Sequence, residues 1–224
     1  MSAPATLARS ELERLPRQQL GRPSALKPAV WRVEAPGGAL VVKDVRHSPL
    51  ALRWFARWML RRERRILARL EAVHGVPHLA ATIDRDAIAL TWVEGRTLDK
   101  WIFRERPRDL VEQLRDLTEE LHAVGVFHLD LRQRNNLLVD DQGRLSIVDF
   151  GAAVAPGWIT RAVFGRFLSY TDYQAALKFL ARFTPEELTE EEARAVLHQR
   201  ALRRLWPFVP MSKRERRAAR QRLS

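Results

Sequence analysis

The chain has 224 residues, 46% of them hydrophobic and 29% charged, a mixture that buries a core and excludes a disordered chain. It has no cysteine, so it forms neither a disulfide nor a thiolate metal site, which fits a reducing compartment. Lys and Arg number 39 against 27 Asp and Glu, a net charge of +12, and such a field draws polyanions, although a compositional bias toward arginine gives the same sum and selects no partner. No uncharged run of about 18 residues is present to span a membrane, and Met1–Ser10 lacks the apolar stretch of a secretory signal.

Residues 1–19 are polar with two prolines and read as a loose arm or a short helix. Leu20-Gly21-Arg22-Pro23-Ser24 follows as a turn. Gly21 and Ser24 could offer backbone N–H groups to phosphate there, or simply reverse the chain. Val30–Glu34 alternates as a strand does, Pro36-Gly37-Gly38 turns, and Ala39–Lys43 returns. A helix is expected from about Leu50 to Ala72, with Leu52, Phe55, Met59, Ile66, Leu67 and Leu70 in one arc of about 120°. Glu63 lies inside that arc. A carboxylate on a buried stripe needs a partner, and Lys43, at the end of the preceding strand, is favoured over the helix's own arginines. Arg53, Arg57, Arg61 and Arg65 recur every four residues beside Trp54 and Trp58. That face suits an anionic membrane interface or an ordinary solvated surface.

Strands are expected over 79–83 and 87–93, joined at Asp84-Arg85-Asp86. A helix follows over 108–124, striped by Leu110, Leu114, Leu117, Leu121 and Val124 and ended by Gly125. Next come His128-Leu129-Asp130-Leu131-Arg132-Gln133-Arg134-Asn135, a small hairpin, and Val148-Asp149-Phe150-Gly151. This set joins an acid, an amide five residues on and a second acid, which is what phosphoryl transfer from ATP uses. Asp130 is the candidate base, and Asn135 and Asp149 are the candidate Mg²⁺ ligands by spacing, both offering hard oxygens. Helices over 171–183 and 185–205, with Thr184 and Thr189 as caps, complete the chain.

These motifs resemble the catalytic loop and Asp-Phe-Gly of the protein-kinase superfamily. The resemblance covers about residues 20–152. It implies an α+β, bilobal fold with a small antiparallel-sheet N-lobe and a reduced, mainly helical C-lobe. The implied divisions are an arm over 1–19, an N-lobe over 20–93, a C-lobe over 94–210 and a basic tail over 211–224. ATP and Mg²⁺ are the implied cofactors. Lys43 would bind phosphate and pair with Glu63, Arg132 would stand near the transferred group, and Leu90, Thr91 and Val93 would line the adenine pocket with Gly21 and Ser24 at the phosphates.

The segment after Gly151 has no recognisable peptide-docking motif, so the acceptor is expected to be other than an ordinary protein. Compact kinases of this kind resemble the bacterial lipopolysaccharide-core kinases, which act on Kdo or heptose, and the RIO and Bud32-like kinases, which act beside RNA. The tail, Arg203-Arg204-Leu205-Trp206-Pro207-Phe208 and then Lys213 to Arg222, fits an anionic glycolipid first and an RNA-protein particle second. A pseudokinase that only binds nucleotide is the non-catalytic alternative. The expected location is cytoplasmic, peripheral at the inner membrane face.

Overall fold

The computed structural model describes residues 8–21, 24–25, 27–198 and 212–223. Arg22 and Pro23 of the expected phosphate loop, and 203–208 of the expected basic tail, lie outside these. The chain is α+β and divides into two compact units, Met1–Glu94 with Val148–Ala153, and Gly95–Ile147 with Val154–Ser224. The stretch carrying Asp149 therefore groups with the N-terminal unit.

The first unit is built on a five-stranded antiparallel sheet. In chain order its elements are α1 (Arg9–Arg14), β1 (Arg17–Gln19), β2 (Ala29–Ala35), β3 (Gly38–Asp44), α2 (Leu50–Leu67), β4 (Leu79–Thr82) and β5 (Ala87–Thr91). The spatial order is β1-β2-β3-β5-β4. The Gly37-Gly38 turn sets the β2–β3 register, so that Val30 faces Lys43 and Trp31 faces Val42. Leu12 of α1 packs with Val33, Val42, Ala81 and Ala89 in one apolar cluster. That contact orders the N-terminal segment, and two ion pairs from Arg9, to Asp44 and Asp84, reinforce it. β1 is a short edge strand where the sequence reads as an arm.

α2 ends at Leu67, five residues earlier than expected. Its buried residues are Ala56, Leu60, Glu63, Ile66 and Leu67, and Leu52 is exposed. The apolar stripe is thus rotated toward Ala56 and Leu60, with Glu63 still inside it. The arginine face is not one solvated surface. Arg53 donates to the carbonyls of Arg46 and Ser48, and Arg57 grips the half of the β4–β5 turn held by Asp86. Arg61 and Arg65 are exposed, as are Trp54 and Trp58.

The second unit is mainly helical. It contains β6 (Arg96–Thr97), α3 (Lys100–Glu105), α4 (Pro107–Ala123), β7 (Leu137–Val139), β8 (Leu145–Ile147), α5 (Trp158–Phe183), α6 (Glu190–His198) and α7 (Lys213–Leu223). Asp99 caps α3 by accepting from the N–H groups of Trp101 and Ile102. Pro107 opens α4, where its missing N–H is harmless. Gly95 has φ of +136°, and a Cβ there would stand 3.0 Å from the Val139 backbone, so only glycine lets β6 lie this close to β7. Gln113 of α4 clamps the β7–β8 hairpin, accepting from Leu145 N–H and donating to the Gly143 carbonyl.

α5 starts at Trp158 rather than at Thr171 and runs 26 residues. Its C-terminal half is core, where Phe179 and Phe183 stack on each other and pack at a tilt against Phe103. Thr189 caps α6 in a reciprocal pair with Glu192, whereas Thr184 makes no side-chain cap. The part of the expected 185–205 helix beyond His198 lies outside the described residues.

Candidate active site

The first unit holds a buried charge cluster. Lys43 leaves the end of β3 with its side chain 7% exposed, and Glu63 of α2 is 5% exposed. Their N–O distance is 2.6 Å. A second carboxylate, Oδ1 of Asp149, accepts from the same Nζ at 2.8 Å. Burial by itself would lower the lysine's pKa, and the charges of Glu63 and then Asp149 reverse that and hold it above its ordinary value. A lysine between two carboxylates is a permanent cation, with Asp149 the outward arm, its side chain 61% exposed.

Asp149 is itself held in an unusual conformation, φ 64° and ψ 77°, a left-handed position that a side chain adopts only where the surroundings fix it. Phe150, 1% exposed, anchors the following turn. Arg62 of α2 donates to the carbonyls of Ala152 and Ala153. One helix therefore secures both the lysine, through Glu63, and the turn after Asp149, through Arg62. The sequence singles out Glu63 and not Arg62, because an arginine among six on α2 carries no distinguishing signal.

Leu90 is buried in β5 between Val41 and Leu79. Thr91 spends its N–H on the His78 carbonyl and its hydroxyl on the His78 N–H. Trp92 N–H goes to the Ala39 carbonyl. The N–H groups of Thr91 and Trp92 are thus both engaged by backbone carbonyls of this unit, and Val93 is the member of the stretch left to consider for adenine. Gly21 has φ of +78°, and the Ser24 hydroxyl accepts from Lys27 N–H within its own turn.

The second unit holds the loop that carries Asp130. Asn136 is buried, and its Nδ2 donates to both the Asp130 carbonyl and Asp130 Oδ2 at 3.0 Å. Asn135 is exposed. A single 3-10 turn over Arg134–Asn136 carries the chain one residue further than the spacing suggests. The amide beside Asp130 is therefore Asn136, one residue past the Asn135 that spacing selects. Adjacent asparagines cannot be told apart by spacing alone.

Beneath this loop sits Asp172 of α5, its side chain fully buried. It accepts from the backbone N–H of His128 at 2.8 Å, from Leu129 N–H at 2.7 Å, and pairs with His122 Nε2 at 3.0 Å. His128 in turn accepts from Asp130 N–H through Nδ1. Lys178, two turns along α5, donates to the Arg132 carbonyl at 2.5 Å. Burial and then the nearby Arg132 charge lower the Lys178 pKa, and burial also lowers that of Arg132. Glu215 of α7 is 2% exposed and its charge offsets part of both shifts. Arg132 on the loop and Lys178 on α5 thus place two cations with the loop that carries Asp130. Asp172 and Lys178 carry no motif signal, since their partners lie 43 to 50 residues away in sequence.

Among the described residues no group of three or more His, Cys, Asp or Glu could hold a metal ion by itself. The oxygen donors present suit Mg²⁺, which commonly takes one or two carboxylates and completes its shell with phosphate and water.

No protein-family model matches the chain. Among curated proteins, putative CBL-interacting protein kinase 13 of Oryza sativa subsp. japonica is 35% identical over 124 residues, 52% of this chain and 24% of that protein. CBL-interacting protein kinase 16 of the same plant is 31% identical over 157 residues, 67% of this chain and 33% of that protein. Serine/threonine-protein kinase PKH3 of Eremothecium gossypii is 51% identical over 45 residues, 20% of this chain and 6% of that protein. The chain thus spans a third or less of the length of these relatives. The relatives are protein kinases, and with the α+β fold they support a place for this chain in the protein-kinase-like superfamily.

Proposed function

We propose that the chain is an ATP- and Mg²⁺-dependent phosphotransferase acting on an alcohol. The observation that carries this reading is the buried Lys43, held at 2.6 Å from Glu63 and 2.8 Å from Asp149. A salt bridge this deeply buried is weak support for stability, and a fixed cation with an outward carboxylate is what a nucleotide phosphate needs. Lys43 would take phosphate oxygens, and Asp149 in the first unit and Asn136 in the second each offer an oxygen donor of the kind Mg²⁺ prefers. Mg²⁺ supplies neutralisation of phosphate charge when bound. Leu90 and Val93 take the adenine side. Asp130 orients the acceptor hydroxyl and receives its proton as oxygen bonds to the γ-phosphorus and ADP departs. Arg132 faces the charge that develops on the transferred group.

For the acceptor we favour a sugar hydroxyl of a lipopolysaccharide-core-like glycolipid. α5 begins seven residues after Gly151 (158 − 151), which leaves little chain for a peptide-docking segment, and the net charge of +12 suits an anionic acceptor. The names of the relatives favour a second reading, a serine or threonine of a protein, and a RIO-like action beside RNA is a further alternative that those names do not distinguish. On the first reading the protein works on the cytoplasmic side, peripheral at a membrane. The test is transfer from γ-labelled ATP in the presence of lipid-glycan, RNA-protein and protein extracts, with Asp130→Asn as control. Label in the lipid-glycan fraction, lost in the variant, supports the favoured reading. Label in protein selects the second reading, and ATP binding without any transfer leaves a nucleotide-binding protein.

A further inference from the structure

The first two turns of α5 stand apart from the core. Trp158 is 81% exposed, Ile159 61%, Val163 66% and Phe164 55%. These side chains spread over about two-thirds of the helix circumference at ~100° per residue, wider than a single stripe, and Arg161 lies in the remaining third. From Val154 to Thr171 there is no acidic residue, and Arg161 and Arg166 are both exposed. Arg161 also donates to the His122 carbonyl, which fixes the base of the tip.

We infer that this tip is a membrane-interface anchor that seats in the headgroup region of an anionic bilayer. Two other occupants fit less well. A groove on a partner protein takes a helix by one face, through residues spaced three and four apart, and leaves the opposite apolar side wet. A second copy of this chain brings a further +12 of like charge to the contact. A bilayer interface covers the whole of this wide apolar arc at once, accepts tryptophan at the headgroup level, and attracts the two arginines. Seven residues of helix reach ~10 Å, the depth at which interfacial segments sit. This names the element behind the peripheral location proposed above and rests on that reading only for its purpose. Seating is measured without any phosphoryl transfer.

The test is sedimentation of the full chain with phosphatidylcholine vesicles, with and without phosphatidylglycerol. The native chain is expected to pellet with the anionic vesicles. The variant Trp158→Ser/Ile159→Ser/Val163→Ser/Phe164→Ser is expected to bind them at least about tenfold more weakly, given the apolar area withdrawn. A urea unfolding midpoint close to that of the native chain shows that this variant is folded. Equal pelleting of both proteins, no pelleting of the native chain, or a concentration-dependent dimer lost in the variant would each overturn the inference. A failure of label transfer with vesicle binding intact removes the phosphotransferase reading alone.

Discussion

Asp172 holds Leu129 in a backbone conformation that leucine rarely adopts. The carboxylate Oδ1 accepts the Leu129 N–H at 2.7 Å while that residue sits at φ 63°. A left-handed leucine costs about 1–2 kcal/mol, and hydrogen bonds to a charged group contribute about 1.5–3 kcal/mol each, so two N–H groups on one buried carboxylate offset the strain. The bend they stabilise comes immediately before Asp130.

Asp172→Asn is therefore expected to lower turnover at least tenfold while leaving ATP affinity within a few-fold of native. Asp172 is a positioning residue, so the readout is this split between turnover and nucleotide binding by calorimetry. Unchanged turnover would show that Leu129 keeps its conformation without the carboxylate.

Removing the buried lysine tests the other unit. Lys43→Met leaves Glu63 buried without its cation, a change that destabilises by about 3 kcal/mol. Urea unfolding should show that loss, and calorimetry should show ATP binding abolished. Lys43→Arg should not restore binding, since the planar guanidinium cannot place a point charge between the two carboxylates. ATP binding at native affinity in Lys43→Met would remove this residue from the site.

The two asparagines separate cleanly. Asn136→Ala breaks both bonds to Asp130 and should reduce transfer by tenfold or more and raise the Mg²⁺ concentration needed for ATP binding. Asn135→Ala, on an exposed side chain, should change neither. The reverse ranking in an Mg²⁺ titration would return the metal role to Asn135.

Acid stability follows from the β4–β5 turn. The bond from Arg57 holds the Asp86 carboxyl below its ordinary value, and the bond from Arg9 does the same for Asp84. For a depressed carboxylate the stabilisation is fully present above its unfolded value, about pH 4, and drains away as pH falls through the folded value. Native protein should thus lose stability steeply on acidification below about pH 4. Asp86→Asn should be less stable at neutral pH and show a shallower decline across that window. Parallel profiles from urea midpoints at several pH values would contradict the assignment.

Much of this was legible because periodicity and charge disagreed at a single point. Glu63 sits on an apolar stripe, and that conflict called for the cation that Lys43 supplies. The β2–β3 and β7–β8 hairpins and α4 were readable from strand alternation and a leucine stripe. β1 was not, because Arg17, Gln18 and Gln19 are all exposed on a sheet edge and show no alternation. The start of α5 was missed for the opposite reason. Its first turns carry Trp158, Ile159, Val163 and Phe164 over most of their circumference, so they show no narrow helical stripe. Asp172 and Lys178 act through backbone groups distant in sequence, and such partnerships leave no pattern in a single chain.

The same helix that ends in an exposed apolar tip also grips the loop before Asp130. Trp158 and Asp172 are separated by 14 helical residues (172 − 158), which is ~21 Å along an α-helix. No linker intervenes, so that length works as a fixed ruler. On the readings proposed for the tip and for Asp130, this spacing along the helix would set which acceptor hydroxyls reach the loop from a surface on which the tip rests.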